Sequence, residues 1–216
     1  MGETNVSSLI LENRHSGERL SLRRLPRGGE VWLELKGSLP PHREGPPMHI
    51  HVAEDEEGTV QSGTLSAVID GRQLTKGAGE AVLIPRGAVH RWWNSGDEPL
   101  EFDGYVKPVV DLDRFLQAIF EIVNAGPEGR PPLFYIAHAA LRHAQTQTML
   151  IMPRPIQAVL FRVIVAVGTL LGRYRGEDWP GCPSRCLGAP FDAEGATESA
   201  PAQSPENGSR IAIAGV

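Results

Sequence analysis

Two cysteines in 216 residues, Cys182 and Cys186, leave no disulfide framework to hold a fold together. There is no excess of positive charge. A formal net charge of −5 and a pI near 5.8 argue against a nucleic-acid or anionic-membrane partner, since no basic face dominates. No helix-turn-helix segment is present either. The opening "MGETNVSSLILENRHSGERL" lacks an apolar signal core, and Gly2 is followed by Val6 where a myristoylation pattern needs Ser or Thr. The most apolar run, "IQAVLFRVIVAVGTLLG" over 156–172, has 17 residues with Arg162 near its middle, whereas a membrane span needs about 20. What remains is the composition of an ordinary globular protein, 41% hydrophobic and 22% charged, long enough for one good core with an appendage. These absences set the expectation of a reducing, cytoplasmic location.

Three stretches differ in character. From Leu9 to Lys107 short runs such as "LSAVI", "EAVLIP" and "LEFDGYV" are separated by Gly, Pro, Asn and Asp, the pattern of a barrel or sandwich of many short strands. "VIDGRQL" predicts a hairpin, because Asp70-Gly71 suits a two-residue turn with positive φ at both positions. "NSGDEP" marks another turn. From Asp111 the period changes. Leu112, Phe115, Leu116, Ile119, Phe120 and Val123 follow the i, i+3, i+4 rule, with Asp111 as N-cap and Gly126-Pro127 as the stop. Further helices are predicted from about Leu133 to Met149 and from about Ile156 to Leu171. Beyond Gly176 the text drifts to Pro, Ser, Gly, Ala and Glu and is expected to be disordered. The division is therefore 1–108 for a β-barrel, 109–173 for a helical extension and 174–216 for a tail.

"MHIHVAEDEE" carries the chemistry. Side chains at i and i+2 of a strand point the same way, so His49 and His51 share one face. Four residues separate His51 from Glu56, and six more lead to Gly63. Downstream, "GEAVLIPRGAVHRWWN" places Gly79, Pro85, Gly87, His90 and Asn94 in the spacing G-x5-P-x-G-x2-H-x3-N. Together these resemble the two motifs of the cupin superfamily, over roughly residues 30–107. The second motif matches at every fixed position. The first departs only at its leading glycine, since Gly45 lies closer to the histidines than usual.

The resemblance implies a single small antiparallel jelly-roll barrel of the quercetinase-like sort. The helical remainder is similar to the extension of certain bacterial cupin-domain proteins. It further implies a metal held by His49, His51, Glu56 and His90, in a protein that pairs as a homodimer. Three imidazoles and a carboxylate are a mixed N/O set for a divalent first-row ion such as Fe, Mn, Ni or Zn, with about two positions left open for a ligand. Glu54 and Glu57 compete with Glu56, and the spacing to Gly63 favours Glu56. The expected function is a dioxygenase-type oxidoreductase acting on a small organic molecule, with Glu56 moving a proton. An isomerase or lyase using the metal as a Lewis acid, and a non-catalytic binding or sensing cup, are the rivals. His15, His42, His138 and His143 have no partner pattern and are read as surface or packing residues.

Alternation along "HRWWN" puts Trp92 beside His90 on the lumen side, as pocket wall or core filler, and sends Trp93 outward, under a helix. Asn94 is read as a backbone anchor. Many cupins carry an inward aromatic two residues after the glutamate ligand. Gly58 stands there, so a roomier cavity is expected, with Val60 and Ser62 on the same wall. The 156–172 run is read as a helix packed on the barrel or across a dimer interface. Membrane association is the alternative, with Arg173 and Arg175 directly following. Cys182 and Cys186 are read as free thiols, because no further Cys or His pair completes a zinc set.

Overall fold

The computed structural model describes residues 8–185. Ten antiparallel strands occupy the first half: β1 (Leu9–Glu12), β2 (Arg19–Arg27), β3 (Glu30–Leu39), β4 (His49–His51), β5 (Asp55–Ser62), β6 (Leu65–Ile69), β7 (Arg72–Lys76), β8 (Ala81–Ile84), β9 (His90–Asn94) and β10 (Leu100–Lys107). The second half holds α1 (Leu112–Ala125), α2 (Leu133–Arg142), β11 (Gln147–Met149) and α3 (Arg154–Leu170). One sheet runs β1-β2-β3-β10-β5-β8, and the other runs β11-β4-β9-β6-β7. This is the mainly β jelly roll with a helical C-terminal part that the sequence predicts.

Local chemistry explains the strands. In β3, Leu33, Leu35 and Leu39 face inward and alternate with more exposed residues, the period-2 pattern of a sheet with one buried face. Asp70 and Gly71 both take positive φ, 47° and 77°, and close the β6–β7 hairpin with Ile69 opposite Arg72. The two sheets meet over Leu39, Val60, Leu65, Ala67 and Leu100. At the other end of the first sheet, α1 supplies the cover. Leu112, Phe115 and Phe120 pack onto Leu11, Leu20, Leu22, Leu33, Leu35 and Val106. Asp111 stands at the N-cap position as predicted, yet it makes no side-chain cap bond. Its carboxylate instead accepts from His143 Nδ1 at 2.5 Å, tying the end of α2 to the start of α1.

Three expectations change. The second helix does not continue to Met149. It stops at Arg142, and Gln147–Met149 becomes a strand paired with β4, Gln147 opposite His51 and Met149 opposite His49. The open edge of β4 requires backbone partners, and this demand overrides helical periodicity. The third helix forms where expected but packs chiefly on α2 rather than on the barrel, burying Gln157, Phe161 and Gly168. Among the described residues no helix is long and apolar enough to cross a membrane. The tail expected to be loose is placed as far as Arg185. Trp179 is buried, stacked on Tyr135 at 5.8 Å and edge-on to His138 and Tyr174. An aromatic cluster supplies the apolar burial that the average composition of the tail lacks. Cys182 is also buried, with Sγ 3.2 Å from Ser184 Oγ, while Cys186 lies outside the described residues.

Candidate metal centre

His49 and His51 sit on β4, and His90 opens β9 directly opposite His49 in the ladder. All three are buried, and a ligand nitrogen from each lies within 4.8 Å of the other two. The ring centroids of His49 and His90 are 4.0 Å apart, and those of His51 lie 5.1 and 5.2 Å from them. Glu56, on β5 of the facing sheet, brings Oε2 to 3.1 Å from His51 Nε2 and 3.7 Å from His90 Nε2. The structure thus brings together the four residues named from the motifs.

The backbone sets the tautomers. His49 Nδ1 donates to the Pro47 carbonyl at 2.8 Å, and His90 Nδ1 donates to the Ala88 carbonyl at 3.0 Å. A ring that gives its Nδ1 proton to a carbonyl presents a bare Nε2, the arrangement found behind metal-bound histidines. His90 Nε2 is buried with no hydrogen-bond partner. A buried acceptor without a partner is costly, and a divalent ion at the common point of the three rings is a partner of the right kind. The donor set fits a first-row divalent metal, and three buried histidines are placed for one.

Charge within the cluster is uneven. Burial, aided by the neighbouring His90 and His51, pushes His49 down to about 3, so it is neutral at physiological pH. Burial also opposes charge on His51, but the Glu54 and Glu56 carboxylates outweigh it and raise His51 to about 9. For Glu56, burial works toward the neutral acid, and His51 with His90 overcomes it, holding the carboxyl well below its usual range. His51 Nε2 and Glu56 Oε2, 3.1 Å apart, are thus electrostatically coupled.

Glu54 is the residue that the spacing argument missed. It is fully buried, with Oε1 accepting from Val110 N at 2.9 Å and Oε2 accepting from the Thr146 hydroxyl. Oε2 also lies 3.8 Å from His51 Nδ1, on the far side of that ring from Glu56. Only its i, i+3 relation to His51 could have flagged it. Nothing in the sequence announces that Thr146 and Val110 would meet it.

The remaining positions are as follows. Asn94 is buried, with its amide donating to the carbonyls of Leu39, Pro40 and Glu98 and its Oδ1 accepting from Gly96 N. It anchors the backbone at the end of β9. Gly63, Gly79 and Gly87 all adopt φ near +80°, which explains glycine in the turns of both motifs. Pro85 begins the turn that returns through Ala88 N to its own carbonyl, just before His90. The displaced glycine, Gly45, donates to the Trp92 carbonyl at 3.1 Å, and a Cβ there would stand 2.7 Å from that oxygen. Trp93 points outward as expected, but the Arg91 guanidinium lies over it at 4.8 Å in place of the expected helix.

The roomy cavity expected beside Gly58 is absent. The space bounded by Glu56, Gly58, Val60, Ile84, Trp92 and Phe102 amounts to about 20 Å³, enough for about one water. A Cβ on Gly58 would meet Val82 at 3.7 Å, an ordinary contact. Phe102 from β10 fills the gap, its ring lying over Gly37 and edge-on to Trp92 at 5.1 Å. Trp92 therefore both walls the cavity and packs in the core, and Ser62 takes no part in it.

Residues 36–106 match the family described as "Cupin domain". The oxidoreductase iacF of Pestalotiopsis fici is 35% identical over 120 residues, 54% of this chain and 52% of that protein. The chain thus spans about half the length of that relative. Among solved structures, the cupin domain of Schizosaccharomyces pombe Cnp3 is similar at 14% identity and a TM-score of 0.37, covering 44% of this chain and 68% of that one. A sugar phosphate isomerase of the cupin superfamily from Silicibacter pomeroyi is similar at 25% identity and a TM-score of 0.35, covering 40% and 58%. Residues 36–106, which carry both motifs in register on the jelly roll, thus match a cupin domain.

Proposed function

We propose that His49, His51, His90 and Glu56 hold a divalent first-row metal, Fe, Mn, Ni or Zn, and that the protein acts on a small organic molecule as a dioxygenase-type oxidoreductase. The observation carrying this reading is the convergence of three buried imidazoles, each with a ring nitrogen within 4.8 Å of the others, two of them oriented by backbone carbonyls. Similarity over about half of an oxidoreductase supports the reaction class. When bound, the metal supplies Lewis-acid and redox chemistry at positions left open by the protein ligands. The chain's own part is to exclude water and to move a proton. Val60, Trp92 and Phe102 keep the approach to Glu56 apolar and narrow. A ligand larger than a few heavy atoms reaches Glu56 from this side only if Trp92 or Phe102 turns away. Glu56 is ionised at neutral pH and accepts a proton more readily once His51 has lost its own.

Elemental analysis of protein purified without chelators, repeated on His51→Ala, tests the site. About one equivalent of metal in the parent and a large loss in the variant are expected. Equal content in both rejects the site. Oxygen uptake by metal-reconstituted protein then separates a dioxygenase from an isomerase or lyase, which would use the same ion without oxygen. Stabilisation by a ligand without product formation marks a binding or sensing cup. The reading carries with it a cytoplasmic protein that pairs as a homodimer, and light scattering of the purified chain checks the pairing.

A further inference from the structure

The helical extension carries an apolar face that its own fold leaves bare. On α3, Ile156, Leu160, Val163, Val167 and Leu170 repeat at alternating four- and three-residue steps and so lie on one side of the helix. These five are 40–84% exposed, and Val159 and Leu171 widen the stripe. The opposite side, with Gln157, Phe161 and Gly168, is buried. A bare stripe of this length on a folded chain calls for a partner.

The charges beside the stripe identify it. Arg162 and Arg173 border the apolar residues, Arg154 and Arg175 stand at the two ends, and all four are exposed. The pattern is wider than the helix. Residues 129–176 contain six arginines and no aspartate, glutamate or lysine. This segment is thus +6 in a chain whose net charge is −5, with Glu177 and Asp178 following directly. Pairing α3 with its own copy about a two-fold axis would bring its arginine margins together with no carboxylate on α3 itself to neutralise them, the nearest, Glu177 and Asp178, lying beyond the end of the helix. A helix whose apolar stripe is bordered by arginine and whose own residues carry no acid is instead complementary to a surface that is apolar beneath and anionic above. Among the described residues no helix is long and apolar enough to cross a membrane, which leaves an in-plane orientation for this one.

We propose that α3 docks this protein onto anionic phospholipid membranes as a surface helix, its apolar stripe entering the acyl boundary and its arginines meeting lipid phosphates. The barrel then rides above the bilayer. The proposal is independent of the metal reading.

The test is co-sedimentation of the full chain with phosphatidylcholine vesicles with and without phosphatidylserine. Uptake is expected only with phosphatidylserine and is expected to fall as salt rises. Each arginine near the surface contributes about fivefold in affinity, so the pair Arg162→Gln and Arg173→Gln is expected to weaken uptake about 25-fold. Val163→Asp is expected to abolish it. Both variants alter exposed positions, and unchanged circular dichroism and elution confirm that they fold. Failure of the parent to bind phosphatidylserine vesicles overturns the proposal, as does uptake unaffected by either variant. A dimer that Val163→Asp dissolves, without any vesicle uptake, also overturns it and assigns the face to a second copy.

Discussion

Glu54 is a fully buried carboxylate with three neighbours from three segments, and each interaction does something different. The Val110 amide and the Thr146 hydroxyl hold it in place, and together with His51 they overcome burial to keep it ionised. Its charge then acts on the back of the His51 ring. Carboxylates behind metal-bound histidines raise ligand basicity, and losing them typically costs about 10–100-fold in metal affinity. Glu54→Gln keeps the shape and removes the charge. It is expected to weaken metal binding about tenfold, measured by competition with a chromophoric chelator, while the far-ultraviolet spectrum stays that of the parent. Unchanged affinity would mean that Glu54 only staples the segments together. The pairing of His49 with His51 on one face was legible in the sequence, because a two-residue step on a strand needs no knowledge of the fold. The identity of Glu54 was not, because "AEDEE" offers four acids and only burial distinguishes one.

At the scale of elements, the site depends on strand β4, which is only three residues long and meets β9 at a single pair, His49 with His90. The rest of its support comes from the C-terminal half, through β11, with flanking bonds from Val52 N to Thr146 O at 2.9 Å and from Leu150 N to Met48 O at 2.8 Å. The turn before His90 is held from the other sheet. Asp55 accepts from Arg86 N at 2.9 Å and from its guanidinium at 3.1 and 2.6 Å, and Gly87 N donates to the His51 carbonyl at 2.7 Å. The Arg86 side chain and amide hold Asp55 down at about 2. A carboxyl depressed in the folded state adds stability that is present above its unfolded pKa, about 4, and is lost as the pH falls toward the folded value. Because the pair is partly exposed, the effect is modest. Asp55→Asn is therefore expected to melt below the parent at about pH 6, with the gap narrowing below about pH 4 and closing as the pH falls through about 2, in thermal scans across that range. A constant gap would assign the loss to packing rather than charge. Helical periodicity correctly announced α1, whose stripe meets a core. It overran at β11, where the hydrogen-bonding edge of β4 decided the backbone.

The whole molecule joins a barrel that carries a metal-ready histidine cluster to an extension that completes the sheet beneath it. If the cluster holds an ion only when folded, metal and fold are linked, and each hundredfold excess of ion over its dissociation constant adds about 2.7 kcal/mol. Stripping with a chelator, followed by removal of the chelator, is expected to lower the melting temperature by several degrees. Adding back a divalent first-row ion restores it. A melting temperature indifferent to both steps would deny the linkage.

By itself the sequence determined the barrel, its turns and which histidines share a strand face. These depend on short-range rules: two-residue alternation along strands, positive φ at turn glycines, and motif spacing that places His49 and His51 on one face. Only the tertiary structure decided which glutamate stands behind the ligands, that Phe102 closes the cavity Gly58 seemed to open, that Gln147–Met149 is a strand, and which side of α3 stays bare. Each of these depends on residues far apart in the chain. Glu54 and Thr146 are separated by 92 positions, and no local pattern encodes which distant side chain will fill a given space.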